Sequence, residues 1–284
     1  FAIQRSLRFN PSDTPKLSRT PSSSSNRTTW TFSCWFKRFP TSSRDQIISA
    51  TTPGSYNGYI EFQNDRFMYE EYGGGQAYIK VETDRIFRDP GAWYHACVAV
   101  DTSQSTAADR VRIFINGVKE TSLVSTNYGT QNFATSFNHN AEHKFAQFPG
   151  NQNFPFDGLL AEVHMLDGIT PGTATDDASG SVTGTPNAVY LTDFGEFNST
   201  TGVWDPKQYS GSHGQNGFYL DFSDQSSDSA LGYDAAGSNN FTVTNLKAAG
   251  KAPETFTVLG SQTNSGNSNS VNVSSLGTVS STAA

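Results

Sequence analysis

The sequence predicts an all-β protein, an antiparallel β-sandwich. Three observations support this fold class: several short segments alternate apolar and polar residues with a period of two, dipeptides typical of turns separate them, and no 3.6-residue period is sustained anywhere. Aromatic residues make up 13% of the chain, with 21 Phe and 11 Tyr, so rings set in short strands must fill much of the core. The 284 residues suffice for one large sandwich or two small domains, and we expect one sandwich.

The first strands are predicted within residues 1–90. A central strand occupies 30–37, where an apolar residue takes every second position: Trp30, Phe32, Cys34 and Phe36. We expect these four side chains to face the core. A short strand at 6–10 precedes it, and others follow at 46–50, 59–62, 66–72 and 76–81. Turns are predicted at Pro53-Gly54, Asn57-Gly58 and the glycine triplet 73–75.

A hairpin is predicted in residues 110–123. Val111, Ile113 and Ile115 share one face there, and the chain turns at Asn116-Gly117, a dipeptide typical of two-residue hairpin loops. A long buried strand at 91–100 precedes this hairpin.

The stretch 156–168, FDGLLAEVHMLDG, is predicted to organise the rest of the chain. It indicates a turn at Asp157-Gly158 followed by a strand with a period of two. One set of alternate residues is Leu160, Glu162, His164 and Leu166, and the other is Leu159, Ala161, Val163 and Met165. This pattern predicts one dry face. Further short strands are predicted at 217–222 and 241–243.

Charge and cysteine content limit the classes of function. The net charge is −7 and the isoelectric point is near 5.2, which argues against general affinity for nucleic-acid phosphates. No apolar run approaches the roughly 18 residues of a membrane span, so we predict none. Cys34 and Cys97 each lie in a predicted strand, and we expect two buried thiols, with a disulfide as the alternative.

Two stretches contain metal-binding residue types. His139, Glu142 and His143 would bind a metal only on a helix, and no firm helix signal surrounds them, so we expect a surface loop. The second stretch contains four aspartates: Asp221, Asp224, Asp228 and Asp234. They lack the spacing and the closing Glu of an EF-hand, so we expect a solvated turn and no cofactor, with calcium as the alternative.

Five segments together resemble the successive strands of laminin G-like, concanavalin A-like jelly rolls. In chain order over 6–168 they are SLRFN, TWTFSCWFKR, GAWYHACVAVD, RVRIFINGVKE and FDGLLAEVHMLDG. The resemblance implies a jelly roll with long loops over 1–246, with an inserted loop at about 169–200. Residues 247–284 form a Ser/Asn/Thr-rich C-terminal extension with few bulky apolar side chains.

A closer likeness is to structural proteins of tailed bacteriophages, chiefly marine and cyanobacterial ones. Three segments carry it: LSRTPSSSSNRTTWTFSCWFKR, LLAEVHMLDG and GVWDPKQYSGSHGQNGFYLDFSD. The likeness implies a non-enzymatic virion protein of the tail, a fibre or the capsid surface. Its expected partners are other copies of itself and other virion proteins, and we expect the C-terminal extension to contact a neighbouring subunit.

The concanavalin A-like resemblance also implies two other functions, of which glycoside hydrolysis is the less favoured. A hydrolase needs two carboxylates that flank the scissile bond. The corresponding strand offers Glu162 alone, followed on the same face by His164 and Leu166. We therefore predict that the protein is not an enzyme and has no catalytic residues.

Carbohydrate binding, with a host-surface glycan as the ligand, is the alternative function. Sugars stack on exposed aromatic rings while amide and carboxylate groups orient their hydroxyls. The candidate residues are Trp204, Tyr209, Asn216 and Tyr72. The aromatic candidates also have structural interpretations, since Trp204 and Tyr209 would pack a long loop onto the sheet and Tyr72 would cover a sheet edge.

Overall fold

The computed structural model describes residues 1–40, 42–148, 154–170 and 191–248. These residues form an antiparallel sandwich, which confirms the predicted fold class. Its strands are β1 (Leu7–Phe9), β2 (Lys16–Arg19), β3 (Thr29–Arg38), β4 (Arg44–Thr52), β5 (Tyr56–Gln63), β6 (Arg66–Gly73), β7 (Gln76–Ile86), β8 (Tyr94–Asp101), β9 (Val111–Ile115), β10 (Val118–Lys119), β11 (Leu123–Asn127), β12 (His143–Phe145), β13 (Gly158–Asp167), β14 (Gly195–Phe197), β15 (Trp204–Pro206), β16 (Phe218–Leu220) and β17 (Thr242–Thr244). Short 3-10 turns lie at Pro11–Asp13, Ala107–Asp109, Leu191–Asp193 and Asp228–Gly232. No helix in these ranges is long and apolar enough to cross a membrane.

Two large sheets make up the sandwich. Sheet A has the order β1-β13-β3-β8-β9-β10, and β16 also pairs with β13. Sheet B has the order β11-β7-β6-β5-β4-β12-β2-β17. Strands β14 and β15 form a separate two-stranded ribbon. Because β13 pairs with β1 over its first half and with β16 over its second, it joins the C-terminal residues to the sandwich.

The main core lies between the sheets and is rich in aromatic rings, as the composition predicts. The ring of Trp30 lies 4.8 Å from that of Phe137 and 5.2 Å from that of Tyr69. Ring pairs of this kind add about 0.5–1.5 kcal/mol beyond the area that they bury. The residues predicted to face the core from β3 all do so: Trp30, Phe32, Cys34 and Phe36.

The hairpin predicted at Asn116-Gly117 is confirmed between β9 and β10. Both residues have positive φ, 49° and 77°, as the type I′ turn requires. The same signature occurs at Gly74 and Gly75, with φ of 58° and 82°, in the predicted hairpin between β6 and β7. The hairpin dipeptides of the sequence therefore predict these two connections correctly.

Two other predicted turns, at Asn57-Gly58 and Asp157-Gly158, are wrong. Gly58 lies inside β5, and Gly158 begins β13. A Cβ on Gly58 would lie 2.6 Å from Oε1 of Glu71, and one on Gly158 would lie 2.4 Å from the carbonyl oxygen of Lys37. Both positions therefore require glycine because another group approaches closely, and neither is a turn.

The outer face of sheet A is buried as well, because residues 191–213, which we call the third layer, pack on it. One cluster joins the sheet residues Trp35, Cys97, Ala99, Phe114 and Ala161 to the third-layer residues Leu191 and Trp204. Another joins Leu166 and Ile169 to Phe194 and Tyr209. The predicted single dry face of β13 is therefore wrong, since both faces of the strand are covered.

The two cysteines lie on opposite faces of sheet A. Cys34 faces the main core, whereas Cys97 lies in the outer cluster. Both are buried and free, so the expected pair of thiols is confirmed and the disulfide alternative is wrong. Burial raises the pKa of Cys97 to about 12, which leaves it protonated and unreactive at neutral pH.

The described residues include both ends of the inserted loop and only the first two residues of the C-terminal extension. Residues 171–190 of the predicted insertion and 249–284 of the predicted extension lie outside the described residues. The strands predicted at 217–222 and 241–243 correspond to β16 and to β17, which is shifted by one residue.

Candidate functional site

A β-bulge at Glu162 shapes the second half of β13. Ala161 pairs with Trp35 and His164 pairs with Ser33, so two residues of β13 oppose one residue of β3. Glu162 has a φ of 47°, a left-handed conformation that costs a residue with a Cβ about 1–2 kcal/mol. Bulges of this kind redirect side chains and often lie next to functional sites.

The bulge breaks the predicted alternation of β13. Leu160, Val163 and Met165 face the main core, while Ala161 and Leu166 face the third layer. His164 also faces the third layer, where its ring lies 5.6 Å from that of Phe194. Strict alternation would have placed His164 on the core side with Leu160. The extra residue therefore brings an imidazole to the outer face of sheet A.

Three rings form a stack beside the bulge, those of His164, Tyr219 and His213. His164 lies opposite Tyr219 of β16, with ring centroids 4.2 Å apart and planes inclined by 11°. Its Nδ1 lies 3.1 Å from Nε2 of His213, so the two imidazoles share a hydrogen bond. The hydroxyl of Tyr219 donates to Oε2 of Glu162 at 2.5 Å. Glu162, the bulged residue, thus holds the Tyr219 side chain in place in the stack.

Burial keeps both imidazoles of the stack neutral at pH 7. It lowers the pKa of His164 well below its ordinary value, and the neighbouring His213 lowers it further. It also lowers the pKa of His213, and attraction to Asp234 opposes this effect. Burial raises the pKa of Glu162, which the hydrogen bond from Tyr219 opposes.

A pocket of about 410 Å³, which we call the His213 pocket, opens against the stack. Ligand sites commonly have volumes of roughly 300–1,000 Å³. The aromatic part of its wall consists of His213, Tyr219 and Tyr209. Its rim consists of exposed residues, namely Gln208, Ser210, Gly211, Ser212, Gly214, Ala235, Ala236 and Gly237. The pocket therefore combines aromatic side chains, of which His213 is the most exposed, with hydroxyl, amide and backbone groups.

Asp234 organises the turn that forms another part of the wall. Its Oδ1 accepts hydrogen bonds from the backbone N–H groups of Tyr219 and Ala236, and its Oδ2 accepts one from that of Asn239. The side-chain amide of Asn239 in turn donates to the carbonyl oxygen of Gly217 at 2.6 Å. The turn at 234–239 is therefore tied to β16 and the segment before it.

The four binding residues predicted from the sequence do not form one site. Tyr209 lies in the wall of the His213 pocket, where its hydroxyl donates to the carbonyl oxygen of Ser212 at 2.9 Å. Asn216 is buried nearby, and its amide donates to backbone and side-chain oxygens of the loop at 23–25, so it fastens that loop. Tyr72 is 41% exposed in β6 of sheet B and does not line the pocket.

Trp204 is a buried packing residue of the third layer and is only 4% exposed. Its indole N–H donates to Nδ1 of His95 at 3.3 Å, and Nε2 of His95 lies 2.8 Å from the hydroxyl of Ser33. His95 therefore carries its proton on Nε2, and burial lowers its pKa to about 3. An indole buried in this way offers no open face for a sugar, so its structural interpretation agrees with the contacts.

The histidine and aspartate stretches considered for metals have other roles, and the expected surface loop is wrong for His143, which is only 3% exposed. His143 lies in β12, where its Nδ1 is 2.9 Å from the carbonyl oxygen of Ala141 and its Nε2 accepts from the backbone N–H of Asn138. Asp221 and Asp224 each accept from a backbone N–H two residues ahead. Within the described ranges, no group of three or more His, Cys, Asp or Glu side chains is placed to hold a metal ion.

The outer face of sheet B brings two carboxylates to one guanidinium. Nη2 of Arg44 lies 2.8 Å from Oε1 of Glu61 and 3.6 Å from Oε2 of Glu70. The amide of Gln46 also donates to Oε2 of Glu61 at 3.1 Å. Burial raises the pKa of Glu61 to about 7. Hydrogen bonds hold both oxygens of this fully buried carboxylate, so the pair acts as a structural ion-pair network.

Sequence reasoning missed the grouping of His164, His213 and Tyr219. The bulge that turns His164 outward is not visible in a regular alternation of residues. A partial signal was present in the segment GSHGQNGFYLDF, where His213 and Tyr219 flank a glycine-rich turn that leads into a strand. Only the pairing of β13 with β16 shows that these rings meet.

Several known proteins have a similar architecture. A family model described as the concanavalin A-like lectin/glucanases superfamily matches residues 13–170. The chain is similar in fold to domains LG4-5 of the mouse laminin α1 chain, at 14% identity and a TM-score of 0.43, over 58% of this chain and 42% of that one. It is similar to a heptameric SAP-like pentraxin of Limulus polyphemus, at 15% identity and a TM-score of 0.45, over 66% and 88% of the two chains.

A third similar structure is a proposed carbohydrate-binding protein of Bacteroides ovatus ATCC 8483, at 14% identity and a TM-score of 0.49, over 87% of this chain and 60% of that one. The chain thus spans less than half of the laminin fragment. Likeness at these identities concerns the fold alone. No curated protein matches the sequence.

Proposed function

The chain belongs to the concanavalin A-like lectin/glucanases superfamily, and on that premise we propose that it binds a saccharide in the His213 pocket without cleaving it. The observation that carries this proposal is the composition of the pocket wall. Rings of Tyr209, Tyr219 and His213 lie beside exposed hydroxyl and amide groups of the rim. Saccharides present both apolar ring faces and hydroxyl groups, and such a wall is suited to both.

The proposed absence of catalysis rests on the carboxylates around the pocket. A glycosidase needs an acid and a base or nucleophile on either side of the scissile bond. Asp234 is the carboxylate of the described pocket wall, and both of its oxygens accept backbone N–H groups. Glu162 lies behind Tyr219 and accepts its hydroxyl. Neither carboxylate is free to transfer a proton to a bound sugar.

The proposed setting of this binding module is a structural protein of a tailed bacteriophage virion, in the tail, a fibre or the capsid surface. Similarity to phage proteins in the segments that include β3, β13 and β16 supports this setting. A glycan of the host surface would then be the ligand, and other copies of the chain and other virion proteins would be its partners. Electron microscopy of particles labelled with an antibody against this chain tests the location directly.

A glycan array with the wild-type protein and a blocked variant tests the proposed function. Ala236 is exposed at the rim, so Ala236→Trp should fill the mouth of the pocket without disturbing the core. Ala108→Trp is the matched control, because Ala108 is equally exposed in a short 3-10 turn that does not line the pocket. We expect the blocked variant to lose binding by at least about tenfold, a change of about 1.4 kcal/mol.

Circular dichroism and thermal melting first establish that both variants are folded. Absence of binding by the wild-type protein to every glycan on the array would overturn the proposed function. Equal binding by both variants would show that the saccharide binds elsewhere on the protein.

A further inference from the structure

Resting on the proposed function, we infer that the His213 pocket admits uncharged saccharides and rejects anionic ones, such as sialylated, uronic-acid and sulfated sugars. The inference follows from the charges that face the pocket. Among the described residues of its wall, Asp234 is the one acidic side chain, and no Lys or Arg takes part in the wall. An anionic sugar would therefore meet a carboxylate and no cation among the residues that line the pocket.

The carboxylate of Asp234 is fixed in place. It accepts three backbone N–H groups, at 2.9 Å, 3.0 Å and 2.9 Å, and these define the turn that closes one side of the pocket. Because three backbone hydrogen bonds hold it, the carboxylate cannot rotate away from an incoming anion without breaking the turn. The repulsion is therefore built into the wall.

The nearest cation in the network, Arg19, lies behind the wall. Its Nη1 donates to the carbonyl oxygen of Asn216 at 3.1 Å, and its Nη2 donates to Oδ1 of Asn239. Arg19 is therefore engaged with the protein through both of these nitrogens. It also attracts Asp234 and Asp167, which balance its charge. The guanidinium supports the wall from behind, and Arg19 is not one of the residues that line the pocket.

His213 does not supply a positive charge at neutral pH. Its Nε2 is engaged by Nδ1 of His164, and burial lowers its pKa. The titratable groups that face it are His164 of β13, Tyr219 of β16, Tyr209 of the third layer and Asp234 of the turn. Only the attraction of Asp234 favours its protonation, and burial outweighs it. At long range, the net charge of −7 further disfavours anions.

The experiment is an array at pH 7.5 in which each neutral oligosaccharide is printed beside its sialylated, uronic-acid and sulfated counterparts. We expect the neutral member of a bound pair to bind more tightly, by at least about tenfold. Raising the salt concentration from about 0.15 M to 0.5 M should reduce this difference, since salt screens the long-range part of the repulsion.

A gain-of-binding variant separates charge from shape. Gln208 is exposed and lines the pocket, so Gln208→Lys should raise affinity for anionic members relative to affinity for neutral members. Thr200→Lys adds the same charge at an exposed turn outside the pocket wall and should change neither. Thermal melting confirms that both variants fold, and Ser210→Lys replaces Gln208→Lys if that variant does not.

Each outcome decides the inference. Equal or stronger binding of the anionic members by the wild-type protein would overturn it and leave the proposed function standing. Binding of neither member of any pair would overturn both. No response of anionic affinity to Gln208→Lys or Ser210→Lys would show that charge at the pocket does not set the preference.

Discussion

The outer faces of the two sheets differ in composition. Sheet A buries its outer face under the third layer, so large side chains such as Trp35 and Phe114 lie on the side away from the main core. Sheet B keeps a polar outer face, on which Arg44 joins Glu61 to Glu70. The His213 pocket forms where the third layer meets β16. The third layer thus supplies part of the pocket wall, including Tyr209 and His213.

The side chains of the two outer faces should also contribute differently to the free energy of unfolding. Burying a large apolar side chain contributes about 1.5–3 kcal/mol. The ion pair between Arg44 and the buried Glu61 contributes less, because desolvation of the carboxylate offsets much of the Coulombic attraction. Substitutions under the third layer should therefore change the free energy of unfolding more than substitutions on the outer face of sheet B.

The largest expected effect is that of Trp204→Ala, which removes the indole between the third layer and sheet A. We expect the free energy of unfolding to fall by about 3–5 kcal/mol, because a buried aromatic ring is replaced by a cavity. Urea denaturation measures the change. Phe197→Ala is the control, since Phe197 meets the Trp204 ring edge-on, with centroids 4.9 Å apart, but is 47% exposed, and its loss should cost less than about 1.5 kcal/mol. Equal effects would show that the third layer is not packed on the sheet.

The next effect concerns the contact of Trp204 with the hairpin turn. Gly117 has a φ of 77°, and a Cβ there would lie 2.4 Å from the indole. Gly54 has a similar φ of 71° but no atom within 4 Å of its Cβ position. Gly54→Ala therefore measures backbone strain alone, about 1 kcal/mol. We expect Gly117→Ala to cost about 1–3 kcal/mol more in the same denaturation measurement. Equal losses would contradict this contact.

Buried histidines and buried glutamates should make opposed contributions to the pH dependence of stability. His95 on sheet A and His143 in β12 are buried as neutral groups, with pKa values lowered from 6.5 to about 3 and about 4. As the pH falls below 6.5, these histidines take up protons in the unfolded chain but not yet in the folded protein. The stability that their neutral burial contributes is therefore present above pH 6.5 and is lost as the pH falls. Glu61 of β5 and Glu71 of β6 are buried with pKa values raised to about 7, so acidification from pH 7 to 4.5 stabilises the fold through them.

These opposed contributions partly cancel above pH 4.5. We expect the free energy of unfolding to change little between pH 7 and 4.5 and to fall steeply below 4.5, with each histidine contributing up to about 1.4 kcal/mol per pH unit. Urea denaturation at half-unit steps of pH tests this profile. A steady gain in stability down to pH 3 would contradict the neutral burial of the histidines.

The smallest expected effect is that of Glu61→Gln on sheet B. Removing the charge eliminates its desolvation cost together with the ion pair to Arg44, while Glu70 remains near the guanidinium. We expect a change within about 1 kcal/mol at pH 7 and a steeper loss of stability between pH 7 and 4.5. A loss above about 3 kcal/mol would show that the ion pair dominates the stability of this face.

The sequence predicted the parts of the fold that depend on local pattern. The alternation at 30–37 correctly gave the core side of β3, and Asn116-Gly117 correctly gave a hairpin, because both signals act within a few residues. The turns predicted at Gly58 and Gly158 are wrong. Gly58 is required because the side chain of Glu71 approaches it from another strand, and Gly158 because the carbonyl oxygen of Lys37 does so. Such contacts have no local signature.

The candidate site was predicted in part. The sequence predicts Tyr209 as a binding residue, and Tyr209 lines the pocket. The packing interpretation of Trp204 agrees with its burial. His164 and Tyr219 were not grouped, because the bulge at Glu162 reverses the side of the strand on which His164 lies. One extra residue in β13 thus conceals the grouping of His164 with Tyr219 from a reading of the sequence.

The most direct test of this account is a two-dimensional amide NMR spectrum recorded during titration with the tightest-binding neutral glycan from the array. We predict that the resonances of residues 208–214 and 234–239 shift in a saturable way, while those of the outer face of sheet B stay unchanged. Shifts confined to β5, β6 and β7, with none around the His213 pocket, would contradict the account.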